Sequence, residues 1–170
     1  YISVDYLKNA LSTKFLEGKK RDESLSVIAE YAKDLSSLRD VQNEIKNSFK
    51  DLGPNTFHEK IAKFKWKAIV TTNYDLIIEK AYQNETERIQ KLAPIISNDD
   101  HMDNILKDPD NLPYLKLHGC ITRADNNNIP LILASEQYAK YKKNRENLFK
   151  ALKEWGREYP IIFCGYKLSD

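Results

Sequence analysis

The stretch Ala68-Ile69-Val70-Thr71-Thr72-Asn73-Tyr74-Asp75-Leu76-Ile77-Ile78-Glu79 changes its period halfway along. Its first half is a continuous, β-branched apolar run, and residues 66–72 read as a strand. Its second half spaces apolar residues as a helix does, so residues 75–82 read as a helix, with polar groups at the junction. The same alternation recurs downstream. Residues 93–97 and 114–118 are β-like, residues 131–133 form a short strand, and helices follow over 135–143 and 145–157. Pro160 then leads into Ile161-Ile162-Phe163-Cys164-Gly165, an apolar run of the kind buried on both faces of a parallel sheet. Residues 98–113, rich in Asp and Asn with two prolines, read as a loop, and Asp125-Asn126-Asn127-Asn128 as a turn. Strands alternating with helices give an α/β plan.

Upstream the pattern is helical. Leu7, Leu11 and Phe15, then Leu25, Ile28, Ala29 and Ala32, then Leu38, Val41, Ile45 and Phe49 recur at spacings of three and four, which predicts two or three amphipathic helices over residues 4–52. A basic turn, Gly18-Lys19-Lys20-Arg21, leads to Asp22 or Ser24 as a helix cap. Gly53-Pro54 breaks the pattern, and Asn55 or Thr56 caps a short helix through Phe64.

At 170 residues, 41% of them hydrophobic, the chain is expected to form one domain: a helical segment over 1–64 and an α/β part over 65–170. A net charge of +2 spreads no basic field for nucleic acid or a membrane surface. No apolar run reaches membrane-spanning length. Cys120 and Cys164 form no CxxC pair, which argues against a structural zinc site and fits a reducing compartment, so the expected location is the cytoplasm. The opening on Tyr1 and the stop at Asp170 are expected of a piece of a longer polypeptide.

Open parallel sheets bind ligands beyond the carboxyl ends of their strands. Three such ends are polar or glycine-bearing: Thr71-Thr72-Asn73-Tyr74-Asp75, His118-Gly119, and Gly165-Tyr166-Lys167-Leu168-Ser169-Asp170. Each also has a structural reading. Asn73 or Thr72 can cap the following helix with Asp75 in its first turn, and His118 can be a strand-end residue before a glycine turn.

The run from Ala68 to Glu79, followed by Lys116-Leu117-His118-Gly119, by Leu133-Ala134-Ser135-Glu136-Gln137-Tyr138 and by Phe163-Cys164-Gly165-Tyr166-Lys167-Leu168-Ser169-Asp170, resembles the sirtuin-like domain of bacterial antiphage proteins. The four motifs occur in that family's order. The resemblance implies a Rossmann-like parallel sheet flanked by helices that binds NAD and cleaves the bond between its ribose and nicotinamide. Asn73 matches the asparagine that positions the attacking oxygen, and His118 the catalytic histidine. Thr72 and Asp75 fall in the cofactor-binding segment, Asp75 on the aspartate that contacts the nicotinamide amide. Gly165, Tyr166 and Lys167 fall on the segment along the ribose and phosphates. The chemistry suits these residue types, because an asparagine amide orients water without ionising and a histidine takes its proton near neutral pH, with no metal required.

The sequence also departs from the family. Before Trp66 it has no glycine-rich phosphate loop, which is expected to lie upstream of Tyr1, and Lys167 stands where serine is usual. The four-cysteine zinc ribbon of deacylating sirtuins is missing, which ranks lysine deacylation below NAD hydrolysis. The function expected is an NAD glycohydrolase that depletes NAD in antiphage defence. Its expected partners are NAD, further domains of the same polypeptide, a second copy of the chain and a phage-protein trigger, with neither membrane nor nucleic acid bound. The rival is a non-catalytic module that binds NAD or ADP-ribose or mediates assembly. His58 and His101 read as ordinary surface residues, Trp66 and the tyrosines as core and rim, and Lys140, Lys142, Lys143, Arg145 and Lys150 as a solvated face.

Overall fold

The computed structural model describes residues 3–165. Three helices open it, α1 (Val4–Phe15), α2 (Leu25–Leu35) and α3 (Leu38–Phe49), and a short α4 (Thr56–Ile61) follows. Each starts on a side chain that satisfies an otherwise unpaired first-turn amide. Ser3 accepts from the Tyr6 amide at 3.1 Å, Ser24 from Val27 at 3.3 Å, Ser37 from Asp40 at 3.1 Å, and Asn55 from Phe57 at 3.0 Å. Of the two alternatives at each turn, Ser24 and Asn55 are the caps. His58 completes the box at α4, its Nδ1 accepting from the Asn55 amide at 3.2 Å.

The α/β part holds β1 (Ile69–Thr71), α5 (Ile77–Asn84), β2 (Lys91–Ile95), α6 (Met102–Ile105), β3 (Asn111–Lys116), α7 (Ser135–Ala139) and α8 (Glu146–Glu158). The sheet is parallel, in the order β1-β3-β2, with Thr71 opposite Lys116 and Ile95 opposite Leu115. Parallel pairing with helices between strands makes this the expected α/β, Rossmann-like architecture. Central β3 is covered on both faces. Its Leu112 joins Tyr82 of α5 and Ala62 beside α4, whereas Leu115 and neighbouring Leu117 pack with Leu148 and Ala151 of α8. Pro94 falls within β2, an edge strand, where a missing N–H is tolerated.

The largest apolar cluster joins the opening helices to residues 121–134. Leu11, Ile28 and Ile45 from the opening helices meet Tyr74, Ile121, Ala124, Leu131 and Leu133. Buried Gln42 stitches this contact, donating to the Ala124 carbonyl at 2.9 Å and accepting from the Leu131 amide at 2.7 Å.

Several boundaries differ from expectation. Strand β1 begins only at Ile69; at Trp66 the backbone N–H donates to Gln90 Oε1 at 2.8 Å and the indole to the Ile61 carbonyl at 2.8 Å, outside any ladder. Residues 131–133 are buried without being a strand: Ile132 donates to the His118 carbonyl and its own carbonyl accepts the Tyr74 hydroxyl. Residues 98–113 are not one loop, since they contain a 3-10 turn, α6 and the start of β3. Helix α7 stops at Ala139, short of Lys143. The run 161–165 is neither strand nor buried, with Ile162 and Phe163 61% exposed or more. Among the described residues no helix is long and apolar enough to cross a membrane.

Candidate functional site at the carboxyl ends of the strands

The parallel register carries β1 and β3 out at the same end of the sheet. Backbone hydrogen bonds continue beyond the strands. Leu117 donates to the Thr71 carbonyl at 2.9 Å and Ile121 to the Tyr74 carbonyl at 3.0 Å, so the loop after β1 and the loop after β3 run side by side. Asn73 and His118 therefore share one end of the sheet. Thr72 is half-buried beside Asn73.

Asn73 is exposed, and its amide N–H donates to Thr71 Oγ1 at 3.0 Å. Its side chain caps no helix. Helix α5 has Leu76 at its N-cap, without a side-chain cap, and Asp75 just before it accepts the Ile77 amide on Oδ1 at 2.9 Å. The first-turn amide is thus satisfied by Asp75, a residue only 6% exposed, and not by Asn73 or Thr72. His118 is half-buried, its ring edge-on to Tyr138 with 5.6 Å between centroids. The following Gly119 adopts φ +96, and a Cβ there would sit 3.2 Å from Leu131 Cδ2 and 3.4 Å from Arg145 Nη2. Only glycine suits both that backbone and that packing. Gly165 is exposed with φ +64 and open space around it, while Tyr166 and Lys167 lie outside the described residues.

Two charged clusters that carried no role in the sequence reading flank these loops. Lys116, fully buried at the end of β3, donates to Glu79 Oε1 at 2.8 Å and to the Asp75 carbonyl. Burial, with the Glu79 and Asp75 charges nearby, pushes the Tyr114 phenol well above its usual value. The signal was a lysine inside the apolar run Tyr114-Leu115-Lys116-Leu117 of a strand with both faces covered. At the end of β2, Asp100 accepts from Arg123 and, through Oδ2, from the amides of Ile96 at 2.7 Å and Ser97 at 3.0 Å. Burial raises the Asp100 carboxyl, but the Arg123 guanidinium and the two amides outweigh it and hold the group below its ordinary range.

Arg145 corrects the expectation of a solvated basic face at that position. It is 1% exposed, donates to the Pro130 carbonyl at 2.6 Å, and is pushed down to about 10 by burial. Lys140, Lys142, Lys143 and Lys150 are exposed, as expected. A cleft of about 400 Å³ between α1 and α3, lined by Tyr6, Thr13 and Glu44, lies away from the strand ends. So does one of about 290 Å³ beside Lys91 and Asp110, at the opposite end of the sheet.

The arrangement offers an uncharged amide and an imidazole on adjacent loops, over a sheet end braced by the buried Lys116–Glu79 pair and the half-buried Arg123–Asp100 pair. No group of three metal-ligating side chains occurs among the described residues. No curated protein matches the chain. The strand, loop and helix that bear Asn73 and the strand end that bears His118 both fall within residues 67–170, which match the model of the SIR2-like domain, and the chain belongs to that family.

Proposed function

We propose that this domain binds NAD at the carboxyl ends of β1 and β3 and hydrolyses its nicotinamide–ribose bond, giving ADP-ribose and nicotinamide. The observation that carries the reading is the pairing of the two loops: bonds from Leu117 to Thr71 and from Ile121 to Tyr74 bring the Asn73 loop and the His118 turn to one place. Membership of the SIR2-like family supplies the relation to NAD.

NAD supplies a leaving group that departs as neutral nicotinamide. The residues do the rest. Asn73 orients a water through its exposed amide, which stays uncharged at any working pH. His118 accepts the proton of that water. In this reading Thr72 and Asp75 serve the nicotinamide end and Gly165 the ribose and phosphate end, while Tyr166 and Lys167, assigned to that end by the sequence, lie outside the described residues. The residue types at the strand ends suit NAD in chemistry: the neutral Asn73 and Thr72 and the carboxylate of Asp75 are compatible with the cationic nicotinamide ring. The reaction needs no metal, and activity is expected to survive chelators.

In the cell the domain serves as an effector in the cytoplasm, joined to further domains, that depletes NAD in antiphage defence once a phage protein triggers it in an oligomer. The test is incubation of the full-length parent protein with NAD, alone and with candidate phage proteins, following nicotinamide by chromatography. Stoichiometric nicotinamide and ADP-ribose are expected. NAD binding without release in every condition would leave the non-catalytic module.

A further inference from the structure

We propose that Lys116 is a positioning residue of this site: its buried ammonium ties the loop that carries Asn73 to the strand that ends in His118. The proposal rests on the reading of Asn73 and His118 as the reacting pair.

Lys116 stands opposite Thr71 in the ladder, each the last residue of its strand. Its side chain is 0% exposed, beside the buried Leu112, Tyr114 and Leu115 of the same strand and neighbouring Leu117. A leucine would fill such a position without the desolvation cost of a buried ammonium, so packing does not account for it. An ammonium has three donors, and geometry assigns their use. One goes to Glu79 Oε1 at 2.8 Å, across the sheet face to α5. Another goes to the Asp75 carbonyl, at the far end of the Asn73 loop. The charge also stands 5.3 Å from the centre of the Tyr114 ring, an attractive contact.

Residues 72–74 have no regular structure; the Thr71 carbonyl, the Asn73 amide, and the Tyr74 carbonyl and hydroxyl are hydrogen-bonded, and the Tyr74 ring packs edge-on to Phe49 at 6.2 Å in the apolar cluster. Lys116 fixes the exit of the loop where α5 begins. Glu79 Oε2 is buried without a partner, so the carboxylate depends on the ammonium for its compensation. Glu79 thus orients Lys116, and Lys116 orients Asp75. Losing the second contact lets the Asn73 amide drift, and a displacement of about 1 Å at a reacting group costs on the order of a hundredfold in rate.

A single Lys116→Met substitution would leave Glu79 unpaired in the interior, so the informative variant is Lys116→Met with Glu79→Gln in the full-length protein, which removes both charges and keeps the volume. Expected are a melting temperature close to the parent's, kcat down about thirtyfold or more with a much smaller change in KM, and amide hydrogen exchange over residues 72–76 at least tenfold faster. A stable variant with parent kcat and parent exchange overturns the proposal, as does one in which KM alone rises. Lys116→Gln, which retains one neutral donor, covers failure of the double variant to fold. Faster exchange over 72–76 with reduced kcat supports the clamp, and parental values of both overturn it. If the parent itself releases no nicotinamide, the hydrolase reading falls, and the exchange measurement still decides whether Lys116 holds the loop.

Discussion

Replacing Gln42 by leucine should destabilise the protein far more than its place on an amphipathic helix suggests. Gln42 is fully buried, and its amide answers two backbone groups that are themselves buried, the Ala124 carbonyl and the Leu131 amide. Leucine fills a similar volume, so the loss is not a cavity. It is two orphaned polar groups at about 1 to 3 kcal/mol each, offset by roughly 1 to 2 kcal/mol because the glutamine amide no longer has to leave water. The net expectation is about 1 to 4 kcal/mol. For a chain of this size each kcal/mol moves the melting midpoint by about 2 to 4 °C, so a fall near 10 °C is expected by circular dichroism. Urea titration should report the same loss as a lower midpoint with an unchanged slope. A loss below about 0.5 kcal/mol would mean that water or a rearranged loop satisfies both groups, and that the opening helices are not keyed to residues 124–131 through this side chain.

Three further outcomes are expected. Asn73→Ala and His118→Ala should each lower turnover of the full-length protein by about a hundredfold or more, with the double variant scarcely worse than either, because both act in one proton-transfer step. Melting of each should stay near the parent's, since Asn73 is exposed and caps no helix; early melting or full turnover would return both residues to structural roles. Gly119→Ala should cost about 1 to 3 kcal/mol by thermal melting, from a left-handed backbone and a Cβ 3.2 Å from Leu131. Asp100→Asn should cost about 1 to 2 kcal/mol at pH 7, the Arg123 side chain being about a third exposed. Because the folded carboxyl lies below its ordinary 3.8, its contribution is complete above that value and is lost as pH falls through the lowered one, so parent and variant should converge in acid denaturation.

The helices of the first third were legible because their apolar faces repeat at three and four and each begins on Ser or Asn. The exit of β1 was legible because a β-branched run gives way abruptly to Thr72 and Asn73. Residues 131–133 misled because burial alone makes a run apolar. What decides between strand and plug is where the backbone bonds go, and here they go to Gln42, His118 and Tyr74, all remote in sequence. The run after Pro160 misled in the same way, since an apolar stretch reads as buried whatever covers it. At the site, Asn73 and His118 stood out as polar residues ending apolar runs. Lys116 and Glu79 did not, because their pairing is set by the face of β3 that α5 covers.

The joint core of the opening helices and residues 121–134 bears on how the chain is made. Leu11, Ile28 and Ile45 leave the ribosome early, yet the Ile121, Leu131 and Leu133 side chains that complete their cluster are still untranslated when α4 appears. At about 5 to 20 residues per second, the 70 residues from 65 to 134 take roughly 4 to 14 seconds. Throughout that interval the nascent helices can pack only on one another, and the surface that residues 121–134 later cover stays open. The docking of the 121–134 segment is the step that ends its exposure.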